Sequence, residues 1–411
     1  MKMKRILRKE VISILLLLVI SGPVVNLSGQ TARAGNKSKQ RFEIPPDFLA
    51  EREDIPEFWI SEVGEVNSFL KKTVKKGQLQ VIGKSAGGRK LYAVFYGQQR
   101  QGKGTTTFSG SLGFGNVRAY RGPDHEKLVY MGMSGVHGGE FEGIVGTVNL
   151  ISIFETGKDL RGKEWPDITE AADALDRIVL IPIVNPDGRD RIPLRMTIYR
   201  NTDGNVTEYL NTGGQPDGTL TGWPQVKEFI PADFNKPGFP GGYPNDAGVN
   251  IQHDDFFGNP QKETRALFNL TSLERPDLIL NMHTGAIYML MHRPFAETEL
   301  TPVFDTLFTN VMTALTQNGL QDTKDPEVEA NPKRVKQGQF NLDGALNMHC
   351  GALSVVVESP SHGFSGKNRR GERALLTPDM LLDSQLICHR EAMRFLSETG
   401  GRSRWTPGRT K

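Results

Sequence analysis

Residues 127–157, KLVYMGMSGVHGGEFEGIVGTVNLISIFETG, decide how the rest of the chain is read. KLVYMGM is apolar at successive rather than alternate positions, as expected of a short strand buried on both faces of a parallel or mixed sheet. EFEGIVGTVNLISIFETG has the spacing of a helix. The turn between them carries His137 and Glu140, although glycine alone would suffice to redirect the chain. Those two residues need a reason to be there, and Gly138 and Gly139 are expected to keep side chains clear of whatever they hold.

The same grammar recurs three times. RIVLIPIV (177–184), PDLILNM (276–282) and ALSVVV (352–357) are further strand-like runs, with helical patterns between them such as PQKETRALFNLTSLERP (260–276). Strands alternating with helices predict a three-layer α/β/α domain. Ahead of them, FWISEVGEVNSFLKKTVKKG (58–77) reads as a helix ending at Gly77, and LQVIGKSAGGRKLYAVFYG (79–97) as a β-hairpin. The last helix begins with Thr377 as N-cap and Pro378 at its first position, and stops at Gly400.

Each buried run ends in a polar signature: His137 and Glu140 after the first, NPDG (185–188) after the second, HTG with His283 after the third, and ESP with Glu358 after the fourth. Ligands of open α/β sheets bind beyond the carboxyl ends of the strands, so these groups are expected to converge. An H-x-x-E alone is common, and a histidine after a strand is commonly a core residue. Together with His283, however, His137 and Glu140 make the His₂Glu donor set of a catalytic zinc, whose fourth position is left for water. Glu358, at the neighbouring strand end, is the candidate general base.

The chain has 411 residues, 37% hydrophobic and 24% charged, enough for a full-sized core. Its first residues stand apart. MKMKRILRKE is a basic segment, VISILLLLVI an apolar one short for spanning a bilayer, with an uncleaved membrane anchor as the alternative reading, and Ala32-Arg33-Ala34 offers the small residues of a cleavage site. The expected organisation is a signal peptide over 1–34, a catalytic domain over 35–400 and a tail over 401–411, in a secreted or periplasmic protein with no later membrane span. Residues 1–34 hold six basic side chains against Glu10, a net of +5, so the formal +3 of the whole chain leaves −2 for the remainder. Nucleic-acid binding thereby loses its compositional support. The two cysteines, Cys350 and Cys388, form either a disulfide or two buried thiols. Residues 195–247, rich in Gly, Pro and Asn, are too long for an ordinary connection and form either a cover for the site or a loose excursion.

From about Leu79 to Leu396 the sequence resembles the zinc metallocarboxypeptidase (funnelin) family. IGKSAGGRKLYAV resembles the family's opening hairpin, HGGE its metal-binding H-x-x-E, NPDG its turn after the next strand, and ETRAL the helix before the third ligand. LNMHTG and VVVESP resemble the segments bearing the second metal histidine and the catalytic glutamate. The resemblance implies a mixed, mostly parallel eight-stranded sheet, one zinc ion on His137, Glu140 and His283, Glu358 as base, and hydrolysis of an amide bond in a peptide or acyl-amino-acid-like substrate. It also implies that Arg200, in IYRN, polarises the scissile carbonyl.

Two departures accompany it. The family's GVDxNRN supplies an Asn and an Arg that clamp a terminal carboxylate, whereas this chain reads GVNIQHDD (248–255), placing Gln252 and His253 on the substrate side. Histidine lacks the bidentate fork of a guanidinium. No tyrosine occurs between Arg293 and Glu358, where the family's substrate-binding tyrosine would lie; His349 is nearby.

Two rivals therefore keep the fold: a zinc amide hydrolase, deacylase or cell-wall peptide hydrolase indifferent to a free C-terminus, and a zinc-containing binding protein without turnover. Retention of Glu358 argues against the second. GQQRQGKGTT (97–106) falls short of a phosphate-binding loop because Gly104 replaces the required Ser or Thr, and is expected to be a hairpin loop. A serine hydrolase is disfavoured because the one G-x-S-x-G match, GKSAG (83–87), falls in the turn of the expected β-hairpin and not on a strand-to-helix turn. The sequence specifies no oligomeric state.

Overall fold

The computed structural model describes residues 49–51, 54–198, 205–222, 226, 231–286, 288–321, 340–360, 364–367 and 372–406. The expected signal segment, the tail beyond Thr406 and Arg200 lie outside the described residues.

The hairpin is present as strands β1 (Gln78–Lys84) and β2 (Lys90–Gly97), paired antiparallel with an irregularity at Val81/Gly83. The four buried runs form β3 (Val129–Ser134), β4 (Arg177–Ile181), β5 (Leu278–Ala286) and β7 (Leu353–Pro360); β6 (Leu290–His292) is a short edge strand. They build one sheet in the order β1-β2-β4-β3-β5-β7-β6. Among the described residues the sheet has seven strands where eight were expected, and it is less parallel than expected. The central pairings β4·β3, β3·β5 and β5·β7 are parallel, while β1·β2, β2·β4 and β6·β7 are antiparallel. The buried runs signal only the parallel centre, because its strands are apolar throughout; the hairpin and the three-residue edge add the antiparallel flanks.

Helices cover both faces. On one, α2 (Phe141–Thr156), α5 (Thr301–Gln317) and α7 (Pro378–Thr399) pack on Tyr130, Leu180, Leu280, Met282, Val355 and Val357. On the other, α4 (Lys262–Glu274) and α6 (Leu342–Cys350) pack on Met131, Met133, Ile279 and Val179. This is the three-layer arrangement, and strand alternation divides the chemistry. Asn281, His283, Ser354 and Glu358 share the face of Ile279, beneath α6.

Local signals hold where the chain punctuates itself. Thr377 caps α7 by accepting from the Met380 amide, and Gly400 ends that helix in the left-handed region at φ 74°. Helix α1 (Val63–Thr73) stops before Gly77, because the amides of Lys75, Lys76 and Gly77 turn away to the Glu155 carboxylate. The Gly97–Thr106 stretch is no hairpin loop: it leads to a short helix, Phe108–Gly113, capped by Thr107. Cys350 and Cys388 are free and buried.

Candidate metal centre and its cleft

His137 and Glu140 leave β3 and stop at the threshold of α2, where Glu140 occupies the N-cap position. The backbone approach explains the glycines between them better than any ligand does. A Cβ on Gly138 would lie 2.1 Å from the Gly188 carbonyl carbon, and one on Gly139 would lie 2.2 Å from Asn211 Oδ1. NPDG thus joins the site as the wall against which the HGGE turn is pressed. Asn185 holds that wall, its Oδ1 accepting from the Gly188 amide and its Nδ2 donating to the Tyr243 carbonyl. Gly138 and Gly139 are required by neighbouring protein, not by space around a metal.

His283 enters from β5. One donor atom each from His137, Glu140 and His283 fall within 4.8 Å of one another, and all three residues are buried. Glu140 spans the two imidazoles: Oε1 lies 2.8 Å from His137 Nδ1 and Oε2 2.9 Å from His283 Nδ1, while the two Nδ1 atoms are 3.2 Å apart. Oε2 also accepts from the Thr284 amide.

The tautomer of His137 follows from its other side. Asn250 Oδ1 accepts from the Gln252 amide and lies 3.2 Å from His137 Nε2, so that nitrogen carries the hydrogen. In neutral His137 the Nδ1 lone pair then faces a carboxylate oxygen with no hydrogen between them. Such an arrangement calls for a cation, and this donor set fits zinc. The ring of Tyr243, from the long excursion, stacks on His137 at 3.6 Å and 13°. The described part of that excursion therefore packs onto the site.

The electrostatics express the same crowding. Burial opposes the charge of Glu140, but the two imidazoles outweigh it and hold the carboxyl down to about 2. Burial likewise lowers His137. For His283 burial is outweighed by Glu140, with Glu358 and Asp343 adding, and its value rises to about 9. Glu358, directly across from His283 in the β5·β7 register, is pushed up to about 7 by burial first, with Glu140 and Asp343 contributing.

On the substrate side, Gln252 and His253 belong to a short helical turn, Ile251–His253, anchored by Asn250. Gln252 is buried, its Nε2 donating to Asp343 and its Oε1 accepting from Asn281. His253 is half-buried. His349 lies away on α6, stacked on Phe268 and bonded to Ser272. Sequence reasoning missed Asn250, Tyr243 and Asp343, and also His292, whose Nε2 is 3.9 Å from Glu358 Oε1. The asparagine stands inside GVNIQH and was within reach of sequence reading; Tyr243 comes from the long excursion, Asp343 from α6 and His292 from the short edge strand β6.

The sequence profile of the zinc carboxypeptidase family (peptidase M14) matches residues 67–353. The chain belongs to this zinc carboxypeptidase family, with Glu358 just beyond the matched stretch. Similar solved structures include a metallo-carboxypeptidase from Burkholderia cenocepacia, 13% identical, with 82% of this chain and 69% of that one covered at a TM-score of 0.47. A carboxypeptidase A from Helicoverpa armigera is 14% identical, with 83% and 75% covered at a TM-score of 0.46. A metallo-carboxypeptidase from Pseudomonas aeruginosa, in complex with (2-guanidinoethylmercapto)succinic acid, is 14% identical, with 80% and 66% covered at a TM-score of 0.44. No curated protein sequence matches the chain. Among the described residues, no helix is long and apolar enough to cross a membrane.

Proposed function

We propose that the protein is an exported, zinc-dependent hydrolase of an amide bond in a peptide or acyl-amino-acid substrate. One zinc ion would be held by His137, Glu140 and His283. The observation that carries this reading is the His137 Nδ1 lone pair, fixed by Asn250 and aimed at a carboxylate 2.8 Å away beside a second imidazole. Zinc, when bound, supplies Lewis acidity and makes water a usable nucleophile near neutral pH.

Glu358 acts as general base: its carboxylate takes a proton from the attacking water and returns it to the leaving nitrogen as the C–N bond breaks. A carboxyl raised toward neutrality is matched to that double task. Arg200 is assigned to the developing oxyanion on the resemblance alone. Gln252 and His253 bound the leaving-group side. Export is inferred from the basic and apolar N-terminal segments and the Ala32-Arg33-Ala34 site.

A zinc amide hydrolase without terminal-carboxylate recognition is the second reading, favoured by the commitment of the Gln252 carboxamide to Asp343 and Asn281. Chelator treatment followed by zinc add-back, assayed on N-acylated dipeptides and acyl-amino acids, tests the function. Hydrolysis should vanish with the metal and return with it; full activity in metal-free protein would contradict the proposal.

A further inference from the structure

The floor of the cleft holds a carboxylate that the hydrolytic reading does not use. Asp343 sits in the first turn of α6 and is 1% exposed. Its Oδ1 accepts from the Ser354 hydroxyl at 2.7 Å, and its Oδ2 from the amides of Gln252 at 2.9 Å and Asn281 at 3.0 Å. Every one of these side-chain partners donates, so the network is built around Asp343 as an acceptor. Its own amide is tied to Asn341 Oδ1 at the helix N-cap, so the carboxylate lies at the favourable end of the helix dipole.

Its position follows from the strands. Asn281 is two residues before His283 on β5, and Ser354 four before Glu358 on β7, all on one face. Two residues of strand span about 6.6 Å, so the charge lies one side-chain layer beneath the donor cluster. Asp343 thus adds a further carboxylate group beneath those of Glu140 and Glu358. Among the described residues, no arginine or lysine bonds to Asp343, Gln252 or Asn281. A terminal carboxylate at Gln252 and His253 would meet the Asp343 carboxylate behind a carboxamide already engaged at both ends.

The outer edge of the same network is aromatic. Phe340 directly precedes the N-cap Asn341. Phe257 stacks on it at 5.5 Å and 10°, and Phe256 and Phe295 meet it edge-on at 5.7 and 6.0 Å. Phe257, Phe295 and Phe340 are 77%, 47% and 37% exposed. A Cβ on Gly344 would lie 3.3 Å from both Phe295 and Phe340, so this glycine seats the two rings against α6. Phe295 follows three residues after His292, the neighbour of Glu358. Exposed rings packed together beside this polar network form an apolar patch of the kind that marks a binding surface.

We propose that this side of the cleft takes a leaving group whose first residue is aromatic or large and apolar and carries no free carboxylate, as in a peptide amide or an internal peptide bond. The rings receive the side chain, and Asp343 rejects the carboxylate. This deepens the proposed hydrolase reading and rests on it for the orientation of the substrate.

Binding separates the two claims. Zinc-loaded E358Q protein is titrated calorimetrically with N-benzoylglycyl-phenylalanine, its C-terminal amide, its glycine-extended form and the alanine amide. The phenylalanine amide and the extended form should bind at least tenfold more tightly than the free acid, and the phenylalanine amide at least fivefold more tightly than the alanine amide. D343N should narrow the amide-to-acid ratio at least threefold, and a double F257A/F295A variant the phenylalanine-to-alanine ratio.

A free acid that binds as well as the amide, or no binding of any of the four, overturns the inference whether or not D343N folds. An unchanged ratio in folded D343N overturns the role of Asp343. If the wild type hydrolyses none of these ligands while the amide preference persists in binding, the hydrolase reading falls and the subsite stands.

Discussion

His283 and Glu358 stand directly opposite one another on the parallel strands β5 and β7, so the two side chains leave the same face of the sheet as neighbours. The candidate base is thereby coupled to the candidate metal ligand through backbone register rather than through a flexible loop.

This coupling fixes the sign of the pH dependence. Burial, with Glu140 and Asp343, raises Glu358 to about 7, and a zinc cation nearby would draw it lower. The ionised form is the base, so kcat/KM should fall as pH drops through a single acid limb below about 7. Removing one anion with D343N should move that limb to lower pH; an upward move in the pH–rate profile would contradict the assignment.

Asn250 holds His137 by accepting from Nε2. N250A should lower zinc affinity about 10–100-fold, the usual effect of losing such an orienting partner. N250D, which restores an acceptor, should recover most of it. Competition with a chelating indicator measures both, and wild-type affinity in N250A would show that Asn250 does not orient the ligand.

G138A should destabilise the protein by about 1–3 kcal/mol or more, because its methyl would fall 2.1 Å from the Gly188 backbone, which has little room to move. Denaturant unfolding measures this. An unchanged midpoint would mean that the HGGE turn is not pressed against NPDG.

The central parallel sheet, its polar strand ends and the caps of the last helix were legible because each is written in contiguous residues. KLVYMGM, PDLILNM and ALSVVV give their strands away by being apolar throughout, and Thr377 and Gly400 bracket their helix. Edge strand β6 has three residues and no period to detect. The surroundings of His137 were not legible, since Asn250 lies 113 residues away and Tyr243 reaches the ring from a long excursion. Gln252 could be placed by its motif. That its carboxamide is spent on Asp343, 91 residues on, depends on how α6 settles over β7.

A buried histidine remote from the cleft should govern acid stability. His389 bonds to the Tyr130 hydroxyl at 2.6 Å, and burial depresses it from 6.5 to about 4. Between those values the unfolded chain binds the proton and the folded one does not, so stability falls as pH drops from about 6.5 towards 4, by about 3 kcal/mol in all. H389Q should flatten this part of the stability–pH curve; an identical slope in the variant would assign the effect to other groups.

The most direct test of the central claim is the turnover of E358Q measured on protein whose zinc content is determined in the same sample. About one zinc per chain in both wild type and variant, with hydrolysis reduced about 10²–10⁴-fold in the variant, is the predicted result. Undiminished turnover in zinc-loaded E358Q would contradict it.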